Sequence, residues 1–155
     1  MSTTHIPRAL RTETTTYFEG RCAYCQSPQA LMNVAFEVDH IYPEKAGGQT
    51  VTSNLAFACP LCNTFKAVLT HGRDPLTEKN VALFHPRIQR WSRHFRWEDD
   101  GHTIEGRTRN GRATVEALHL NNPYLLRLRT IWIAIGSTPP DWPTPSFVGT
   151  RSEER

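Results

Sequence analysis

The stretch VDHIYPEKAGGQTVTSNLAFACPLCNTFK, residues 38–66, sets an acid beside an imidazole (Asp39, His40). Two glycines (Gly47, Gly48), an asparagine (Asn54), a Cys-x-x-Cys pair (Cys59, Cys62) and a second asparagine (Asn63) follow. Just ahead of and into it, NVAFEVDH alternates Val34, Phe36 and Val38 against Ala35, Glu37 and Asp39, a period of two that predicts a strand ending at Asp39 and His40. Pro43 stops that strand, EKAGGQT is loop material, and NLAFAC offers a second short strand with Leu55 and Phe57 on one side. CNTFKAVLT then reads as a helix opened by Cys62, with Asn63 near its N-terminus.

All four cysteines of the chain fall into two pairs, Cys22/Cys25 in CAYC and Cys59/Cys62 in CPLC. Two-residue spacing makes a knuckle that turns both thiolates toward one point, and two knuckles complete the tetrahedral sulfur cage that zinc prefers. Disulfides are the competing account, but no secretion signal is visible and a reducing cytosol disfavours them. A closed set of four thiolates implies a structural ion with no direct part in catalysis. The knuckles bracket a strand, a glycine loop, a strand and the entry to a helix. The ion therefore clamps the strand end carrying Asp39 and His40 relative to the helix start carrying Asn63.

Working outward, 155 residues suit one compact domain with loose ends, and 38% hydrophobic with 21% charged residues fit a soluble globular chain. The longest apolar run, IWIAI at 131–135, is far below the roughly 20 residues of a membrane helix. The N-terminus has no apolar signal-peptide core, so a cytoplasmic protein without a membrane partner is expected. Residues 84–112 hold seven arginines against four acids and so carry the whole net charge of +3. Arginine forks suit phosphate recognition. A helix is expected over residues 7–18, with Leu10, Tyr17 and Phe18 available to pack. FHPRIQRWSRHFRW predicts a long helix with Phe84, Ile88, Trp91 and Phe95 as its apolar stripe, and Arg87 and Arg90 on another face as contacts to a nucleic-acid backbone. A hairpin turning at Asp100 and Gly101 comes next. Two helices follow, the second with Leu125, Leu128, Trp132 and Ile135 in line, and then a proline-rich tail from Ser137. His71, His85, His94, His102 and His119 show no ligand spacing, and no coiled-coil pattern fixes an oligomeric state.

The DH pair after a strand, Asn54, and Asn63 in a CxxCNxxK context together resemble the zinc-supported HNH endonucleases over about residues 20–70, in an Asp-His-Asn-Asn variant. Residues 84–136 resemble the C-terminal extension of a group of small bacterial HNH proteins. The resemblance implies an α+β fold: a ββα-metal core over residues 21–72 stapled by the four-cysteine zinc site, with a hairpin-plus-helices extension over 73–136 packed on the core; the residue pattern adds an N-terminal helix with a flexible start over 1–20 and a Pro-rich, disordered tail over 137–155. The resemblance further implies that His40 is the general base. Asp39 and Asn63 would hold one Mg²⁺ or Mn²⁺, Asn54 would bond the loop backbone and steady the His40 ring, and Lys66 would reach a phosphate. DNA is the expected substrate, with RNA the alternative. The rival reading is a non-catalytic zinc-containing module that binds nucleic acid.

Overall fold

The alternation around Val38 forms a strand in the computed structural model, which describes residues 5–137. β1 (Glu37–His40) pairs antiparallel with β2 (Leu55–Ala58), placing Val38 opposite Phe57 and His40 opposite Leu55. The strand starts later than its alternation suggests. The Phe36 N–H is taken at 2.8 Å by the Gln29 side chain rather than by a ladder partner, and Val34 stays exposed. β2 is buried on both faces, because α1 (Arg8–Tyr17) packs over it. Ile6 and Thr14 supply the buried contacts at that helix, while Tyr17, expected to pack, is half exposed.

The connection from β1 to β2 turns at Gly47, whose φ of 91° is left-handed. Gly48 then presses so closely on the Tyr42 carbonyl that a Cβ has no room. α2 (Pro60–Lys66) begins two residues earlier than the sequence suggests. Cys59 is its N-cap, accepting the Cys62 N–H on Sγ at 3.4 Å, and Pro60 sits at the first helical position, where its missing N–H costs nothing. The Asn63 N–H makes the helical bond to the Cys59 carbonyl at 2.9 Å. Asn63 therefore has a place fixed by the knuckle itself.

The long helix expected over residues 84–97 does not form; only α3 (Trp91–His94) is helical there. Pro86 has no N–H to give, and side chains take the neighbouring ones. The Phe84 N–H goes to the Thr114 hydroxyl (2.8 Å), that of His85 to Gln89 Oε1 (2.8 Å) and that of Arg87 to His85 Nδ1 (3.2 Å). Phe84 and Phe95 are buried all the same, but Ile88 is 79% exposed. Phe95 belongs instead to a hairpin, β3 (His71–Arg73) with β4 (Asn80–Ala82) having come before it in the chain. That hairpin is β5 (Phe95–Trp97) with β6 (Ile104–Gly106), which turns at Asp100 and Gly101 as expected. The three-residue strands β3 and β4 carry no alternating apolar pattern, and nothing in the sequence announces them.

α4 (Arg109–Ala117), capped by the Thr108 hydroxyl, lies against β3, β4 and β6. α5 (Pro123–Ala134) starts at the Asn122 cap. Leu125 and Trp132 are buried as their spacing predicts, and Ile135 is exposed. Arg129, on the same side of α5, is 1% exposed. Its guanidinium donates to the carbonyls of His102 (2.8 Å) and Leu120 and lies 5.4 Å from the Trp97 ring centre. One buried cluster runs from Ile6 through the cysteines to Leu125. The proline-rich stretch read as a tail falls almost wholly on residues 138–155, outside the described residues.

The β3–β4 hairpin is fastened to α4 by Asp74, which is fully buried and receives Arg112 through both carboxylate oxygens at 2.8 and 3.0 Å, with the Thr77 hydroxyl at 2.7 Å. The Arg112 guanidinium above all, with the Thr77 hydroxyl and the Leu76 N–H, holds the Asp74 carboxyl well below the ordinary carboxylate range against the opposing effect of burial. A depressed carboxyl contributes stability above its unfolded pKa of about 3.9 and loses it as the pH falls toward the folded value. Asp74→Asn is expected to lower the melting midpoint at pH 7 and to flatten its decline below pH 4. Arg96→Ala, which removes the exposed pair with Glu105, should barely move it. Equal effects in a pair of thermal melts would contradict this.

Candidate functional site

The four cysteine sulfurs lie within 4.8 Å of one another and all four residues are buried. The Cys25 and Cys59 sulfurs stand 3.7 Å apart. That is too long for a disulfide of about 2.05 Å but matches the edge of a tetrahedron built on zinc–sulfur bonds of about 2.3 Å, roughly 3.8 Å. The surroundings suit thiolates: buried Ser27 places its hydroxyl 3.0 Å from Cys25 Sγ, and the Cys62 N–H points at Cys59 Sγ. The donor set therefore fits zinc. Among the described residues it is the one cluster of three or more His, Cys, Asp or Glu able to hold a metal.

From this cage run the two elements that carry the predicted acid, imidazole and carboxamide. β1 turns Glu37 and Asp39 to the same side by strand alternation. Across from them, Asn63 on α2 donates its Nδ2 to Glu37 Oε2 at 2.7 Å. This contact leaves Asn63 Oδ1 as an acceptor beside the Glu37 carboxylate. One turn later Lys66 feels the attraction of Asp39, while burial lowers its pKa more strongly. Asp39 and Asn63 offer oxygens of the hard kind that a divalent cation takes. Glu37 was not singled out in the sequence. Its position two residues before Asp39 on one strand face is the signal that would have found it.

His40 is 2% exposed. Its Nε2 lies 2.8 Å from the Thr50 hydroxyl, and its Nδ1 is buried without a hydrogen-bond partner. Asn54 occupies the predicted place on the loop backbone. Its Oδ1 accepts the Tyr42 N–H at 2.9 Å, and its Nδ2 donates to the carbonyls of Tyr42 (3.0 Å) and Gln49 (2.9 Å). It thereby ties both ends of the glycine loop together. Thr50, next to Gln49, reaches the imidazole from that loop. Nothing in its sequence context marks Thr50, since its value comes entirely from where the loop is folded back.

Three predicted nucleic-acid contacts sit differently. Lys66 is not on the helix surface. It is 4% exposed, with Nζ donating to the carbonyls of Ile41 (2.8 Å) and His40 (3.4 Å). Arg87 is turned inward as well, its side chain 7% exposed. It donates to the Leu55 carbonyl (2.9 Å), pairs with Glu13 (3.2 Å) and lies 4.0 Å from the Tyr17 ring centre. The physical cause in both cases is a row of strand-end carbonyls that needs donors. These two cations brace β1 and β2. Arg90 alone of the three is exposed, at the start of α3.

Residues 22–67 match the family model of the HNH endonucleases. The matched segment begins at Cys22 and takes in both knuckles, Asp39, His40, Asn54, Asn63 and Lys66, and it points to a nuclease or nucleic-acid-related function with a divalent metal. No curated protein matches the chain. No described helix is long and apolar enough to cross a membrane.

Proposed function

We propose that this chain, through its HNH segment at residues 22–67, is a metal-dependent endonuclease that hydrolyses phosphodiester bonds in DNA. The observation that carries the reading is the imidazole with one nitrogen spoken for and the other not. In the tautomer that donates Nε2–H to the Thr50 hydroxyl, the lone pair is on Nδ1, which has no partner. An acceptor of that kind, steadied by the loop that Asn54 ties, takes a proton from an attacking water as a general base. Asp39 supplies a carboxylate and Asn63 a carboxamide oxygen, oriented by the Glu37 contact, for one Mg²⁺ or Mn²⁺. Bound there, such an ion stabilises negative charge on the phosphate and the departing oxygen. The cysteine cage keeps these groups in register and takes no part in proton transfer.

The test is relaxation of supercoiled plasmid by the zinc-loaded protein. Nicking or linearisation is expected with Mg²⁺ or Mn²⁺, and none with EDTA. Excess Mg²⁺ added back after brief EDTA treatment, with zinc still measured at one ion per chain, should restore it, which separates the reacting ion from the caged one. Binding of plasmid without cleavage under any of these cations would overturn the nuclease reading in favour of a non-catalytic module.

A further inference from the structure

A cavity of about 210 Å³ lies beside this centre, walled on one side by the HNH segment and on the other by the extension. Ile41, the residue after His40, lines it, and so does Lys66, whose ammonium is fixed on the His40 and Ile41 carbonyls and feels Asp39. The cavity therefore adjoins the strand end that carries the acid and the imidazole. Leu83 and Phe84, both buried, form the apolar wall from the other side.

The polar groups at its border have unspent capacity that is mainly donor. An ammonium has three N–H groups, and Lys66 spends two on carbonyls. His85 accepts the Arg87 N–H on Nδ1, so the proton of its neutral ring is on Nε2. Burial lowers its pKa and favours that neutral form. Gln89 uses Oε1 on the His85 N–H, which leaves its NH₂. Asn110 uses Nδ2 on the Ala82 carbonyl, which leaves its Oδ1. Three donors and one acceptor thus meet apolar walls, beside a Thr70 hydroxyl engaged with His71 Nδ1 at 2.9 Å and the Tyr42 phenol, and no carboxylate lines the cavity. Its size is below the roughly 300–1,000 Å³ of sites for drug-sized ligands, which limits it to about one planar ring system. Tyr42 and Ile88 also border it and are 45% and 79% exposed, which places an aromatic and an aliphatic surface where a flat ring would meet the protein.

Resting on the nuclease reading, we propose that this cavity receives one unstacked nucleobase of the substrate strand, a carbonyl-bearing base such as thymine held by the donors of Lys66, His85 and Gln89. Single-stranded and extruded bases are read in this way, by apolar contact with the ring and hydrogen bonds to its edge. The extension then serves to complete a base pocket next to the scissile phosphate.

Amide spectra of the zinc-loaded full chain, titrated with thymidine 5′-monophosphate or with 2-deoxyribose 5-phosphate, test it. The nucleotide should shift Leu83, Gln89 and Asn110 with a dissociation constant near the millimolar range, about −4 kcal/mol, and the sugar phosphate should leave them unmoved. Leu69→Trp, which fills the cavity from an exposed position on its border, should weaken the nucleotide at least tenfold. Nuclear Overhauser contacts from the thymine methyl to Leu83 give the same answer in the wild type if that variant does not fold. Equal shifts with both ligands, or nucleotide shifts untouched by Leu69→Trp, or no shifts at all, would overturn the pocket. Plasmid cleavage is scored separately. Cleavage without base binding removes only the pocket, whereas base binding without cleavage supports the pocket and removes the nuclease reading.

Discussion

His40→Ala is expected to cost about 10²–10⁴-fold in plasmid cleavage, the range that a positioned general base contributes, while zinc content stays at one ion per chain. The ring is buried and opposite Leu55 in the register of β1 and β2, so its loss opens a small void and leaves the Thr50 hydroxyl without its partner. Some stability goes with it. The pairing of β1 with β2 and the cysteine cage do not pass through the imidazole, and the variant should melt cooperatively at a somewhat lower temperature. Rates, melts and zinc stoichiometry taken on the same samples separate the two effects. A folded, zinc-loaded His40→Ala protein that keeps more than a tenth of the wild-type rate would remove His40 as the base and, with it, the significance of the partnerless Nδ1.

What could be read from the residues in advance was the part encoded at short range. Two CxxC pairs specify their own geometry, so the cage was legible before any fold was known. A period of two over Phe36 and Val38 announced β1, and the loop glycines fixed where it turns back. The misreadings share a different cause. Arg87 and Lys66 look like surface cations in sequence, yet each meets carbonyls 25 or more residues away, and a sequence window holds no trace of that partner. Arg129 was likewise hidden inside an apolar stripe. Over residues 84–97 the stripe at 84, 88, 91 and 95 satisfied a helical period. The backbone donors had other claimants, one of them Thr114 at a separation of 30 residues, and tertiary bonding overrode the local pattern. Glu37 and Thr50 belong to the same class, because their worth depends on Asn63 and His40 arriving beside them.

Removing Cys59 is expected to have the largest structural effect in the chain. Its sulfur is one corner of the cage, its position is the N-cap of α2, and its carbonyl accepts the Asn63 N–H. Cys59→Ser keeps the cap and the carbonyl but breaks the sulfur set. Zinc binding in closed thiolate sites is worth about 10–16 kcal/mol at neutral pH, comparable to or larger than the whole stability of an ordinary domain, about 5–15 kcal/mol. A pair of four-residue strands has little to fall back on without it. The consequence reaches the extension as well. Trp91 donates its indole N–H at 2.9 Å to the carbonyl of Tyr24, inside the first knuckle, and its ring lies tilted against Trp97 with centres 5.4 Å apart, Trp97 in turn meeting Arg129. Cys59→Ser should therefore bind less than a stoichiometric ion, lose its cooperative melt, and change the tryptophan emission of residues more than 30 positions away. Chelation of the wild type should reproduce the same spectrum. If emission and melting were both indifferent to the substitution, the cage would be an ornament on a hairpin that holds itself, and the rigidity assigned to Asp39, His40 and Asn63 would need another source.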